Sequence, residues 1–126
     1  MKARETALRL KRFAADEKAR KVASIEHMIR EFEGMSADLD RQIDAEEART
    51  GIKDPAHFSY STFAKSANQR RENLSASIAD LRTKLDTAQR EQRDADEQVT
   101  RALAPEARQT LPRRRRSEAS RGLSLR

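Results

Sequence analysis

The sequence has no cysteine and no tryptophan, only three glycines and three prolines, and five aromatic residues in all, one Tyr and four Phe. Without cysteine there is no disulfide framework, no thiolate zinc site and no cysteine nucleophile. So little glycine and proline leaves little material for the tight turns that sheet-containing folds require between strands. Also missing is any apolar run near the roughly 20 residues that span a bilayer. Met1-Lys2-Ala3-Arg4-Glu5 leads into no signal-peptide core. A cytoplasmic address is the expectation.

What remains is charged and helix-forming. Asp, Glu, Lys and Arg supply 38% of the 126 residues, and the apolar 36% is weighted toward alanine. A globule of this length would need a broad core, whereas this composition suits a narrow seam between long helices. The net charge of +6 is unevenly spread: residues 106–126 hold seven Arg against two Glu, leaving about +1 for residues 1–105. Within the body, residues 1–20 carry seven basic and three acidic side chains, and residues 21–50 carry four basic and eight acidic.

A seven-residue apolar repeat runs through Leu8, Ala15, Val22, Ile29 and Ile43, with Ile25, Phe32 and Leu39 at the alternate position. Met28 and Met35 widen this stripe, and Ser36 interrupts it. The cluster Thr50-Gly51-Ile52-Lys53-Asp54-Pro55 can end one helix and admit another. A second repeat then runs through Tyr60, Ala67, Leu74, Leu81, Ala88, Ala95 and Ala102, alternating with Ala64, Ile78, Leu85 and Val99. Arg71 and Gln92 interrupt it, Ser61 or Thr62 offers an N-cap, and Pro105 an end. The reading is all-α: an antiparallel two-helix coiled-coil hairpin over residues 1–105, with a disordered Arg-rich tail over 106–126. Helix 1 covers about 3–50, the turn about 51–60 and helix 2 about 61–104. Val22, Ile25, Ile29, Phe32, Leu39, Ile43, Leu74, Ile78, Leu81 and Leu85 form its seam.

Charge selects the antiparallel return. Asp38, Asp40, Asp44, Glu46 and Glu47 are expected beside Lys65, Arg70 and Arg71 across the turn, and the basic start of helix 1 beside Asp94, Asp96 and Glu97. The outer seam positions are Ala or Lys, so the ends are expected to fray, and self-association stays open because the same stripes can pair between chains.

Candidate chemistry is sparse. His27 and His57 lack metal-ligand spacing, the pairs Glu46-Glu47 and Asp94-Asp96 read as solvated helix faces, and no glycine-rich phosphate loop is present. The expectation is a non-enzyme with no cofactor, no metal and no small-molecule substrate, acting through protein surfaces. Phe58, Tyr60 and Phe63 place three of the five aromatics within six residues at the turn, a candidate partner-binding tip. Arg113-Arg114-Arg115-Arg116 could attract phosphate without base readout, but the near-neutral body makes nucleic acid the less favoured partner.

Arg4-Glu5-Thr6, Leu10-Lys11-Arg12-Phe13, Asp16-Glu17-Lys18, the turn Gly51-Ile52-Lys53-Asp54-Pro55-Ala56-His57-Phe58, and Gln69-Arg70-Arg71-Glu72-Asn73-Leu74 resemble the short FliJ-type flagellar export proteins of alphaproteobacteria. The resemblance covers about residues 4–103, and the turn carries most of its weight because a heptad repeat does not generate it. It implies an antiparallel coiled coil in the type III export apparatus, held peripherally at the inner membrane of the flagellar base. Its implied partners are the flagellar export ATPase ring, which it enters as a stalk, the export-gate membrane protein, and export chaperones that it escorts. By analogy Arg4, Arg9, Lys11, Arg12 and Phe13 meet the ATPase, and Phe58, Tyr60 and Phe63 face the gate or a chaperone. The alternatives are a generic structural coiled coil and a nucleic-acid-associated protein that binds through its basic tail.

Overall fold

A computed structural model describes residues 2–104 of the chain. The expected tail over 106–126, with Arg113–Arg116, lies outside the described residues. Two helices make up the fold, α1 (Lys2–Thr50) and α2 (Thr62–Leu103), and the described residues contain no strand. The bounds fall within a residue of those read from the heptads.

The chain divides into two compact units, Ala19–Arg90 and Met1–Lys18 with Glu91–Arg126. Ala19–Arg90 is an α-helical hairpin with the turn at its end. Its core has two clusters. Val22, Ile25 and Ile29 of α1 pack with Ile78, Leu81 and Ala88 of α2, and half-buried Phe32 and Leu85 cover them. Nearer the turn Leu39 and Ile43 pack with Ala67 and Leu74. Every member of the expected seam lies in one of these clusters. Ser36 and Arg71, the polar interruptions, are half-buried, and Arg71 bonds Asp40 and Asn68.

Contacts across this hairpin run in opposite directions along the two helices. Glu46 meets Ser61 and Glu47 meets Tyr60 beside the turn. Further along, Asp40 accepts from Arg71 at 2.6 Å and Glu33 from Arg82 at 2.7 Å. Each step back along α1 is a step forward along α2, which defines the antiparallel register. Of the acidic stretch expected to face basic residues of α2, Asp40 bonds Arg71 and Asp44 acts on the same guanidinium through space, whereas Asp38 binds Arg41 and Glu46 binds Arg49, one turn away on the same helix.

Among the described residues of the other unit Ala15 is the one buried apolar residue, and Leu8, Ala95, Val99 and Ala102 are half-buried. Small side chains remove little area from water, so these seam positions stabilise weakly, as the alanine-rich ends of both repeats indicated. Lys18 and Glu91 pair between the helices at 3.3 Å, both about two-fifths exposed. Glu97 pairs with Arg101 on its own helix rather than with the basic start of α1.

Candidate interaction surfaces

The turn is built from short-range hydrogen bonds that account for its sequence. Gly51, at φ +74°, takes the left-handed conformation that ends α1, and its N–H donates to the Glu47 carbonyl at 2.8 Å. Thr50 secures the exit, its hydroxyl accepting from the Ile52 N–H at 3.2 Å. Asp54 then starts the next bend: its carboxylate accepts from the Ala56 N–H at 2.9 Å and its carbonyl from the His57 N–H at 3.0 Å, with Pro55 at the position where a fixed φ suits a turn. His57 repeats the device. Its carbonyl accepts from Tyr60 N–H at 3.0 Å and its Nδ1 from Ser59 N–H at 2.9 Å. Ser61 caps α2 by accepting from the Ala64 N–H at 3.2 Å, which makes Ser61 the N-cap and Thr62 the first helical residue.

Four side chains then tie this loop to the end of α1. The Ser61 hydroxyl donates to Glu46, whose carboxylate also accepts two bonds from the Arg49 guanidinium, at 2.9 and 2.8 Å. Those bonds, Arg49 first and Ser61 second, stabilise the charged form and lower the Glu46 pKa to about 2. The Tyr60 hydroxyl donates to Glu47 at 2.6 Å and accepts from the Asn68 amide at 3.0 Å. Its bond to a carboxylate raises the Tyr60 pKa, because the phenolate would lose it and face a like charge. Asn68 in turn accepts from Arg71 at 2.7 Å, so the network reaches Asp40 on α1.

The three turn aromatics therefore divide. Tyr60 is buried, 7% exposed, and its ring and hydroxyl brace the hairpin. Phe58 is 94% exposed and stacks only on His57, ring centroids 4.8 Å apart, while Phe63 is 53% exposed on the first turn of α2. Phe58 and Phe63 are the two of the expected tip residues whose surface is free for a partner.

The other expected contact lies in the unit holding the start of α1. Arg4, Arg9, Arg12 and Phe13 are exposed, and Lys11 is half-buried. Leu10, which the sequence reading left out of the set, is 65% exposed beside Phe13 at 59%. A third surface was not foreseen as a groove. Met28 and Phe32 on α1, with Ala76, Ser77, Asp80 and Leu81 on α2, line an open depression of about 380 Å³ in the Ala19–Arg90 hairpin. The small residues Ala76 and Ser77 create it, and only Met28 and Phe32 were noticeable beforehand as a widened stripe.

Among the described residues no cluster of His, Asp and Glu could hold a metal ion, and no helix is long and apolar enough to cross a membrane. The class defined by this geometry is an α-helical hairpin with a braced turn, whose distinctive chemistry lies on exposed surfaces. No family model, curated protein or solved structure matches the chain.

Proposed function

We propose that this chain is a component of the flagellar type III export apparatus, a helical stalk of the export ATPase ring that also escorts export chaperones. The observation that carries the reading is the turn. The segment Gly51–Phe58, whose resemblance to FliJ-type proteins is the most specific, folds into a hydrogen-bonded tip that leaves Phe58 94% exposed on a network of Glu46, Glu47, Tyr60, Ser61 and Asn68. A spacer gains nothing from an exposed aromatic on a rigid mount; a docking tip needs both, because ordering a loop at the moment of binding would oppose association.

In this reading Phe58 and Phe63 dock to the export-gate protein or a chaperone, and Arg4, Arg9, Lys11, Arg12 and Phe13 meet the ATPase ring. The chain acts by binding and catalyses nothing, and it works at the cytoplasmic face of the inner membrane. The test is turnover and ring assembly of the cognate ATPase with and without the full chain. Stimulation by wild type, lost in Arg9→Glu/Arg12→Glu and kept in Phe58→Ala/Phe63→Ala, is the expected result. Unchanged turnover and assembly on adding wild type would refute the stalk role.

A further inference from the structure

The first turns of α1 differ in charge from the hairpin that follows. The unit Ala19–Arg90 carries twelve basic and twelve acidic side chains, a net of zero. In the other unit, residues 2–18 carry six basic against three acidic, a net of +3. Within that unit the first turns of α1 combine this basicity with exposed apolar surface. Leu10 is 65% and Phe13 59% exposed, three residues apart and hence neighbours on one helix face. Arg9 and Arg12 flank them, both exposed and without an ion pair or hydrogen bond among the described residues.

We propose that Arg9, Leu10, Arg12 and Phe13 form a docking site for an anionic phospholipid surface. The two apolar side chains enter the boundary between headgroups and acyl chains, and the guanidinium groups bind lipid phosphates above them. A bilayer interface supplies negative charge to the arginines and an apolar layer to Leu10 and Phe13 at once. Nucleic acid would satisfy the arginines but leave Leu10 without a counterpart, and Phe13 is the one aromatic of this unit available to stack on bases. Stable membrane attachment takes two signals, and the seven arginines of residues 106–126 give the same chain a second polybasic segment. Asp16 and Glu17 close the face on its far side, which confines insertion to the first turns of α1.

Arg9, Arg12 and Phe13 are shared with the ATPase contact proposed above, so the two partners take this face in turn, and the experiment uses the purified full chain with no other protein so that its outcome does not depend on that contact. Flotation is compared on vesicles of phosphatidylcholine alone and of phosphatidylcholine with phosphatidylglycerol. Because the chain has no tryptophan, Phe13→Trp supplies a single fluorescent reporter. Binding is expected to the anionic vesicles only, to weaken with salt, and to shift the Trp emission to the blue. Leu10→Ser/Phe13→Ser should reduce affinity about tenfold with unchanged far-UV circular dichroism, since neither side chain is packed in the core. Arg9→Glu/Arg12→Glu should reduce it at least as much. Equal binding to neutral vesicles, no binding at all, or full retention in Leu10→Ser/Phe13→Ser overturns the proposal. Loss on changing Arg113–Arg116 to serine, with none in the Leu10/Phe13 variant, overturns it in favour of tail electrostatics alone. Tighter binding to duplex DNA with the same dependence on Leu10 and Phe13 would overturn it in favour of a nucleic-acid site.

Discussion

Replacing Leu39 by alanine tests whether the hairpin is held where the packing indicates. Leu39 is 4% exposed and packs with Ile43, Ala67 and Leu74. The substitution removes three carbon atoms from a dry site, a transfer loss of about 2.5 kcal/mol at ~0.8 kcal/mol per methylene. A cavity term adds to this, and its size depends on how far the neighbours close in. Here closure is easy, because only two helices border the site and Leu74 is half-buried and can lean inward. The expected total is therefore about 3 kcal/mol, in the lower half of the range for such substitutions. Urea unfolding followed by circular dichroism at several protein concentrations reads both the loss and its origin. For a hairpin closed within one chain the midpoint should not move with concentration, and the variant should lower it without changing the slope. A loss under about 1 kcal/mol would refute the packing described for this cluster. A midpoint that rises with concentration would mean that the same seam is made between chains.

Gly51→Ala forces a side chain into a backbone at φ +74° and should destabilise the hairpin by about 1 kcal/mol, visible as a lower thermal midpoint, although the space around the site is open. Acid should weaken the turn in a defined window. The Glu46 carboxylate, lowered from the ordinary 4.5 to about 2 by Arg49 and Ser61, contributes stability that is complete above about pH 4.5 and lost as pH falls toward about 2. Glu46→Gln should flatten that part of a pH–stability profile, and a profile identical to wild type would remove Glu46 from the account. Phe58→Ala should leave the stability within about 0.5 kcal/mol of wild type, since the residue is 94% exposed, whereas Tyr60→Ala should lower it clearly in the same denaturation assay.

The heptads made the fold legible because alternation of Val22, Ile25, Ile29 and Phe32 on one helix, and Ile78, Leu81 and Leu85 on the other, admits few arrangements once a short turn joins them. Ser61 as a cap and Gly51 as a stop follow from chemistry that acts over three or four residues, and both were visible for that reason. What local chemistry cannot reveal is which side chains meet across the turn. Tyr60 stood both at the head of the second repeat and among the three turn aromatics, and what sets it apart from Phe58 and Phe63 is its bonds to Glu47, thirteen residues earlier, and to Asn68. Glu46 and Glu47 looked like a solvated pair for the same reason, yet one holds Ser61 and the other Tyr60. The groove beside Met28 and Phe32 arises from the register that sets Ala76 and Ser77 opposite them, and register belongs to the pair of helices rather than to either repeat.

That division bears on how such a protein can act through surfaces alone. Branched aliphatic burial is concentrated in Ala19–Arg90, where Val22, Ile25, Ile29, Leu39, Ile43, Ile78 and Leu81 hold the helices together. In the other unit Ala15 is the one buried apolar residue among those described, and residues 2–18 carry six basic against three acidic side chains. Self-repulsion opposes a compact state, so charge is least costly where little burial depends on close packing. A segment with few buried contacts also opens at low free energy, which lets its side chains adjust to a partner. The braced turn follows the opposite principle, with one exposed ring fixed by a hydrogen-bond network in advance of contact. On the proposed reading the chain offers one surface that is ordered before binding and one whose fit is completed by binding, and the two differ because alanine and lysine occupy outer seam positions that leucine and isoleucine fill in the hairpin.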